Sequence, residues 1–162
     1  MAKVSKTGIN LIKEFEGCRL TAYRDEVGVL TIGYGITNAD KSVTGTSIKA
    51  GMKISQSTAE KWLEQSLNRK YLPLVMKYDT RYNWNQNEID ALVSFAYNIG
   101  SIDQLTANGS RSRETIAKKM LEYNKAGGTV YRGLTHRREA ERELFLEPGE
   151  KEEDNKVKEQ KE

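Results

Sequence analysis

The stretch Glu16–Gly35 reads EGCRLTAYRDEVGVLTIGYG, and the periodicity of the chain changes across it. Just ahead of it, Ile9, Ile12 and Phe15 recur at helical spacing; within it, short alternating runs are broken by glycines. A first helix is therefore expected from about Ser5 to Glu16, stopped by Gly17. Leu20 to Tyr34 is expected to form a β-hairpin, with Asp25-Glu26-Val27-Gly28 as its turn and Val29–Ile32 as the returning strand. Glu16 follows Ile9 by seven residues and Ile12 by four, which puts it on the apolar face of the helix. It also lies in the last turn, at the negative end of the helix dipole. Desolvation and the dipole both favour a protonated acid at such a place, and that is the form a general acid needs. Asp25 opens the turn and Thr31 sits on the returning strand. A hairpin folded beside the helix end would bring both to face Glu16. Taken singly, an Asp in a Gly-containing turn is ordinary turn chemistry and a β-branched Thr belongs in a strand. Taken together, two carboxylates in unlike surroundings are the equipment of glycoside hydrolysis.

Beyond Gly35 a glycine- and serine-rich loop is expected through Ala39 to Gly51, and the rest is helical. Ser57 with Glu60 reads as a capping box ahead of Trp62, Leu63 and Leu67, with Pro73 limiting that helix. Asn85 with Glu88 repeats the device before Ile89, Leu92, Val93, Ala96 and Ile99, the most apolar segment and the expected central helix. Ile116, Met120 and Tyr123 mark a further helix ending at Gly127-Gly128, and Thr135 to Phe145 reads as the last. The fold class is thus α+β and mainly helical: a small mixed lobe precedes a larger helical one, and a cleft between them suits a ligand.

Composition narrows the chemistry. With 162 residues, 37% of them hydrophobic, the chain can bury a core, so wholesale disorder is excluded. No run approaches the ~20 apolar residues of a spanning helix, and Met1 to Asn10 lacks the apolar region of a signal peptide. One cysteine, Cys18, and one histidine, His136, exclude a disulfide framework and a His/Cys-rich zinc site, leaving carboxylates or hydroxyls to do the chemistry. The net charge of +3 is uneven: residues 147–162 hold seven acids and four lysines, so residues 1–146 carry +6. A basic body favours polyanionic partners. The segment 147–162 has too few apolar residues to bury and is expected to be a charged, flexible tail.

The Glu-x8-Asp-x5-Thr spacing of Glu16, Asp25 and Thr31, followed by TIGYG, resembles the catalytic motif of the phage-type lysozyme (endolysin, muramidase) family. The resemblance extends to ALVSFAYNIG (Ala91–Gly100) and GLTHRREAERELF (Gly133–Phe145), and so covers nearly the whole chain except the tail. It implies a lysozyme-like two-lobed fold in a single catalytic domain, residues 1–146, with a small lobe of about 14–56 and a helical lobe of about 57–146. It further implies hydrolysis of the β-1,4 bond between N-acetylmuramic acid and N-acetylglucosamine in peptidoglycan. Glu16 would protonate the leaving oxygen, and Asp25 with the Thr31 hydroxyl would hold the attacking water on the opposite face, an inverting arrangement. The resemblance calls for no metal or cofactor, nor for membrane insertion. The chain is expected to act as a monomer, made in the cytoplasm of an infected bacterium and reaching the wall after a separate protein permeabilises the membrane. Two positions depart from the family pattern: Ile36 stands where many relatives have histidine, and Cys18 where leucine is common.

Arg137 and Arg138 fall in the first turn of the expected last helix, where positive charge opposes the dipole. That placement is understandable if one of them has a carboxylate partner, and Arg137 is expected to reach across the cleft to Glu16 and hold its orientation. The plainer alternative is two solvated arginines. Such an arginine would oppose the effects of burial and dipole on Glu16. Tyr34, at the end of the hairpin, is expected to line the cleft, whereas Trp62, Tyr71, Tyr78, Tyr82, Trp84 and Tyr97 read as packing aromatics. His136 is expected at the surface. Two rivals stand beside a hydrolase. A nucleic-acid-binding module would need clustered basic residues, but Arg111, Arg113, Lys118 and Lys119 are interspersed with Glu114 and Glu122. The other is a lytic transglycosylase or a non-catalytic peptidoglycan-binding module; a transglycosylase needs no water-positioning Asp, so the Asp25 and Thr31 pair favours a hydrolase over it.

Overall fold

The apolar stripe of Ile9, Ile12 and Phe15 organises helix α1, Lys6–Glu16, with Ile12 fully buried. The computed structural model describes residues 2–149. Ser5 starts α1 and is tied to the middle of the chain, its backbone N–H donating to Asp90 Oδ1 at 2.9 Å and its hydroxyl to Asp90 Oδ2. Three antiparallel strands follow in the order β1 Arg19–Arg24, β2 Leu30–Gly33 and β3 Ile36–Thr37. Tyr23 pairs with Thr31 and Arg24 with Leu30. The outer edge of β1 is covered by the segment around Lys53, with Ala22 N–H donating to Met52 O at 2.7 Å and Ile54 N–H to Leu20 O at 2.9 Å. Covering an edge in this way removes a template for strand addition. The expected loop after the sheet contains regular structure instead, a 3₁₀ turn at Asn38–Asp40 and a short helix α2, Lys41–Thr44, because Thr37 and Asp40 form a capping box there.

The helical part departs from the sequence reading at its boundaries. Helix α3 spans Gln56–Ser66 and is capped by Ser55, whose Oγ accepts from Thr58 N–H at 3.0 Å. Ser57 is inside the helix, and Glu60 pairs with Lys13 Nζ at 3.0 Å rather than closing a cap. Nor does Pro73 end the helical path. A widened turn at Leu67–Tyr71, in which Leu72 N–H donates to Leu67 O, leads directly into α4, Leu72–Met76. Pro73 sits in the first turn of α4, where its missing N–H has no intrahelical partner to lose. Short α5, Asp79–Tyr82, precedes α6, Gln86–Ile99, whose capping box is the expected one: Asn85 Oδ1 accepts from Glu88 N–H and Glu88 Oε1 from Asn85 N–H. α6 is buried along most of its length, from Glu88 to Ala96, and is the central helix.

After α7, Asp103–Thr106, helix α8 covers Arg113–Met120 and stops before Tyr123. Gly127-Gly128 is not a helix stop. Both residues have positive φ and form the tip of a small hairpin, β4 Lys125–Ala126 with β5 Thr129–Val130. The last helix, α9, runs from Arg132 to Leu146, beginning three residues earlier than its periodicity indicates. Buried apolar side chains form two clusters. A small one joins Ile32, Ile36, Ile48 and Trp62 beside the sheet; the large one gathers α1, α3, α4, α6, α8 and α9 around Leu92, Phe95 and Ile116. Among the described residues, no helix is long and apolar enough to cross a membrane. Of the tail expected at 147–162, Glu147 closes α9 and accepts, with Pro148, from Asn87 Nδ2. The remainder, 150–162, lies outside the described residues.

Candidate active site

Glu16 ends α1, and its position puts its carboxylate at the wall of a cavity of about 450 Å³. The cavity is lined by Phe15 and Glu16 from α1, Glu26 from the β1–β2 turn, and Tyr131, Leu134 and Arg137 from the start of α9, among others. This is within the size range of small-ligand sites. The Glu16 side chain is 21% exposed and that of Arg137 4%, with Arg137 Nη1 donating to Glu16 Oε2 at 2.5 Å. The two residues lie 121 positions apart in the chain. Because α9 begins at Arg132, Arg137 and Arg138 belong to its second turn, where the dipole opposes them less than in the first. They are 3% and 0% exposed, which overturns the reading of two solvated arginines.

The other oxygen of Glu16 lies against the hairpin. A Cβ built on Gly35 would stand 3.1 Å from Glu16 Oε1, and Gly35 has φ +92°. The glycine of TIGYG therefore serves a close approach of backbone to carboxylate as well as a left-handed turn. Gly35→Ala is expected to lower the melting temperature, through a strain of about 1 kcal/mol, and to slow turnover by displacing Glu16. Thermal melts and wall-clearing rates check this; an alanine variant equal to wild type in both would remove Gly35 from the site.

Asp25 is half-buried in the hairpin turn. Its Oδ1 accepts from Val27 N–H at 3.0 Å and Val29 N–H at 2.8 Å. Thr31 is 5% exposed, and its hydroxyl donates to Val29 O at 2.9 Å. Among the described contacts neither reaches Glu16; it is Glu26, next to Asp25, that shares the cavity wall with Glu16. Tyr34 is a buried ring, 6% exposed, in the large cluster rather than an open face of the cleft. The helical part closes over the hairpin end: Tyr34 OH accepts from Gln56 Nε2 at 2.8 Å, and Tyr34 O accepts from the Tyr97 hydroxyl at 2.7 Å. Burial, reinforced by the negative charge of Glu16, pushes the Tyr97 hydroxyl well above its ordinary range, so it stays protonated and keeps that bond. Ile36 is fully buried in the small cluster, Cys18 is half-buried with Sγ 3.7 Å from Gln56 Oε1, and His136 is exposed. Among the described residues, no three His, Cys, Asp or Glu side chains converge as metal ligands would.

The structure adds residues that sequence reasoning missed. Glu141 is 0% exposed and Ser94 is 0% exposed, and both contact Arg137. The i, i+4 spacing of Arg137 and Glu141, and a serine inside the apolar run ALVSFA, were the available signals. Tyr131, 51% exposed on the cavity rim, carries no such signal. The arrangement offers a carboxyl group fixed by a guanidinium at the wall of a cavity, with a second carboxylate on the adjacent turn.

Residues 13–141 match the phage lysozyme family. The chain is 43% identical over 148 residues to an endolysin of Lactococcus phage c2, covering 90% of this chain and 61% of that protein. It thus spans about three fifths of that relative's length. It is 34% identical over 151 residues to the endolysin of Salmonella phage P22, covering 90% of this chain and 99% of that protein. Among solved structures, the muramidase domain of SpmX from Asticaccaulis excentricus superposes with a TM-score of 0.71 at 31% identity, over 91% of this chain and all of that one.

Proposed function

The chain belongs to the phage lysozyme family, and from that membership we propose that it is a glycosidase that hydrolyses the β-1,4 bond between N-acetylmuramic acid and N-acetylglucosamine in bacterial peptidoglycan. Glu16 is the general acid. Asp25, with the Thr31 hydroxyl, holds the attacking water on the opposite face of the sugar, and the products are inverted. Arg137 orients Glu16; Tyr34 supports the hairpin end from beneath rather than stacking on sugar. The observation that carries this reading is the Glu16–Arg137 pair at the wall of the cavity. A carboxyl group held from behind by one nitrogen of a buried guanidinium keeps its other oxygen fixed in place. That preorganisation is what proton transfer to a leaving oxygen requires. The endolysin relatives support a lytic role on a bacterial cell wall. Our reading takes the chain to act as a monomer on the wall of the host that made it, without stable insertion in its membrane.

Digestion of purified cell walls tests the proposal. New reducing ends at N-acetylmuramic acid are expected. Anhydro-sugar ends would show a transglycosylase instead, and binding without cleavage a wall-binding module. The charge of residues 1–146 predicts a second behaviour. Clearing should weaken as salt rises well above 0.15 M, where exposed charges are screened within about 8 Å. Clearing rates that stay level across a salt series would show that the basic body does not draw the protein to the wall.

A further inference from the structure

Arg137, Arg138 and Glu141 form a charged group behind Glu16 that is almost closed to solvent, at 3%, 0% and 0% exposure. Charges of this kind are rarely buried unless paired. Their bonds all run toward one end. Glu141 Oε2 accepts from Ser94 Oγ at 2.5 Å, Arg138 Nη2 at 3.1 Å and Arg137 Nε at 3.2 Å. On the far side of the Arg137 guanidinium, Nη2 donates to Ser94 O at 3.1 Å and approaches the Ser94 hydroxyl at 3.3 Å. Nη1 then has one acceptor, Glu16 Oε2. The guanidinium is planar and its donors form a rigid fork, so fixing Nε and Nη2 fixes the direction of Nη1. We propose that Glu141 is a positioning residue for the acid Glu16, acting through Arg137 and seated by Ser94 and Arg138. This rests on the glycosidase reading of the same site.

Stability alone is a poor account of the cluster. Buried ion groups can often be replaced by apolar side chains of similar volume without loss. Here, moreover, Arg138 Nε and Nη1 have no directed acceptor: Nε is 2.8 Å from Glu141 Oε1 at an unfavourable angle, and the guanidinium lies over the Phe95 ring at 4.8 Å. Arg138 thus supplies charge more than hydrogen bonds. The charges balance, two arginines against Glu141 and Glu16. Burial raises the Glu141 carboxyl above its ordinary range while Arg138 and Arg137 oppose this, so its negative charge depends on both arginines. Removing that charge would leave the group with one excess positive charge beside Glu16. The other ionisable groups around Glu16 are Tyr97 on α6, Tyr71 at the end of the widened turn before α4 and Glu26 on the cavity wall, and none of them could restore the balance. Facing Glu141 are Arg137 and Arg138 on its own helix and the hydroxyl of Ser94 on α6.

The test is the pH dependence of kcat for Glu141→Gln, measured with the full chain on peptidoglycan beside KM and a thermal melt. Glutamine keeps the shape and removes the charge. KM should stay within about twofold of wild type and kcat should fall about tenfold. The alkaline limb of the kcat profile should move to lower pH, because excess positive charge favours the deprotonated form of Glu16. A lower melting temperature alone, with kcat and the alkaline limb unchanged, would overturn the proposal, since a purely structural Glu141 predicts that result. Should Glu141→Gln fail to fold, Ser94→Ala replaces it: it removes only the hydroxyl that seats Oε2. It should lower kcat and shift the limb in the same direction by a smaller amount, and an unmoved kcat and limb would again overturn the proposal. A wild-type chain that releases no reducing ends would remove the glycosidase reading itself and this proposal with it, whereas an active wild type with a wild-type-like variant sinks only the role of Glu141.

Discussion

Glu16→Gln is expected to slow wall clearing by about 10²–10⁴-fold in a folded protein, the usual size of a general acid's contribution. Glutamine keeps the length of the side chain and an oxygen that can accept from Arg137 Nη1, but it carries no acidic proton. The Glu16 side chain is 21% exposed at the cavity wall, so the substitution does not open the core. Clearing rates measured beside thermal melts separate the two effects. If the glutamine variant clears walls as fast as wild type, Glu16 is not the acid and the functional assignment of the cavity fails with it.

Asp25→Asn should cost about 10²-fold or more in turnover, and here the structure sharpens what the result means. The Asp25 carboxylate accepts from Val27 and Val29 N–H and shapes the hairpin turn. An Asn side-chain oxygen can accept the same two bonds, and Asn is as much at home in such a turn. The hairpin therefore survives the substitution, and the loss belongs to the missing charge. In the proposed mechanism that charge draws a proton from the attacking water as the new bond forms. Turnover equal to wild type would leave Asp25 as a turn residue and point to another base along the cavity wall, which Glu26 lines together with Glu16.

The two substitutions probe groups that differ in how far they could be read in advance. The helix ending at Glu16, the hairpin with its turn at Asp25 and the cap at Asn85 were legible because each is written in adjacent residues: a helical stripe, a glycine-bounded alternation, an Asn three residues before a Glu. Boundaries were less so. Ser55 displaces Ser57 as the cap of α3, and Pro73 is carried past by a widened turn, because packing decides which of several acceptable starts is used.

By itself, then, the sequence determined the first helix, the hairpin and the central helix, the order of a small sheet and a larger helical part, and the spacing of Glu16, Asp25 and Thr31; it missed the small hairpin at Lys125–Val130 and the short helix at Lys41–Thr44. Only the tertiary structure decided what surrounds the acid. The residue pattern around Arg137 fits a solvated helix face as well as a partner of Glu16, and Tyr34 fits a cleft wall as well as a core. Burial separates these readings, and burial depends on which elements close over a residue from elsewhere in the chain. α9 packs its charged stripe against Ser94 of α6 and presents one guanidinium nitrogen to a carboxylate 121 positions away. A charge enclosed at that distance leaves no periodic trace. It is stable only because its partners arrive together.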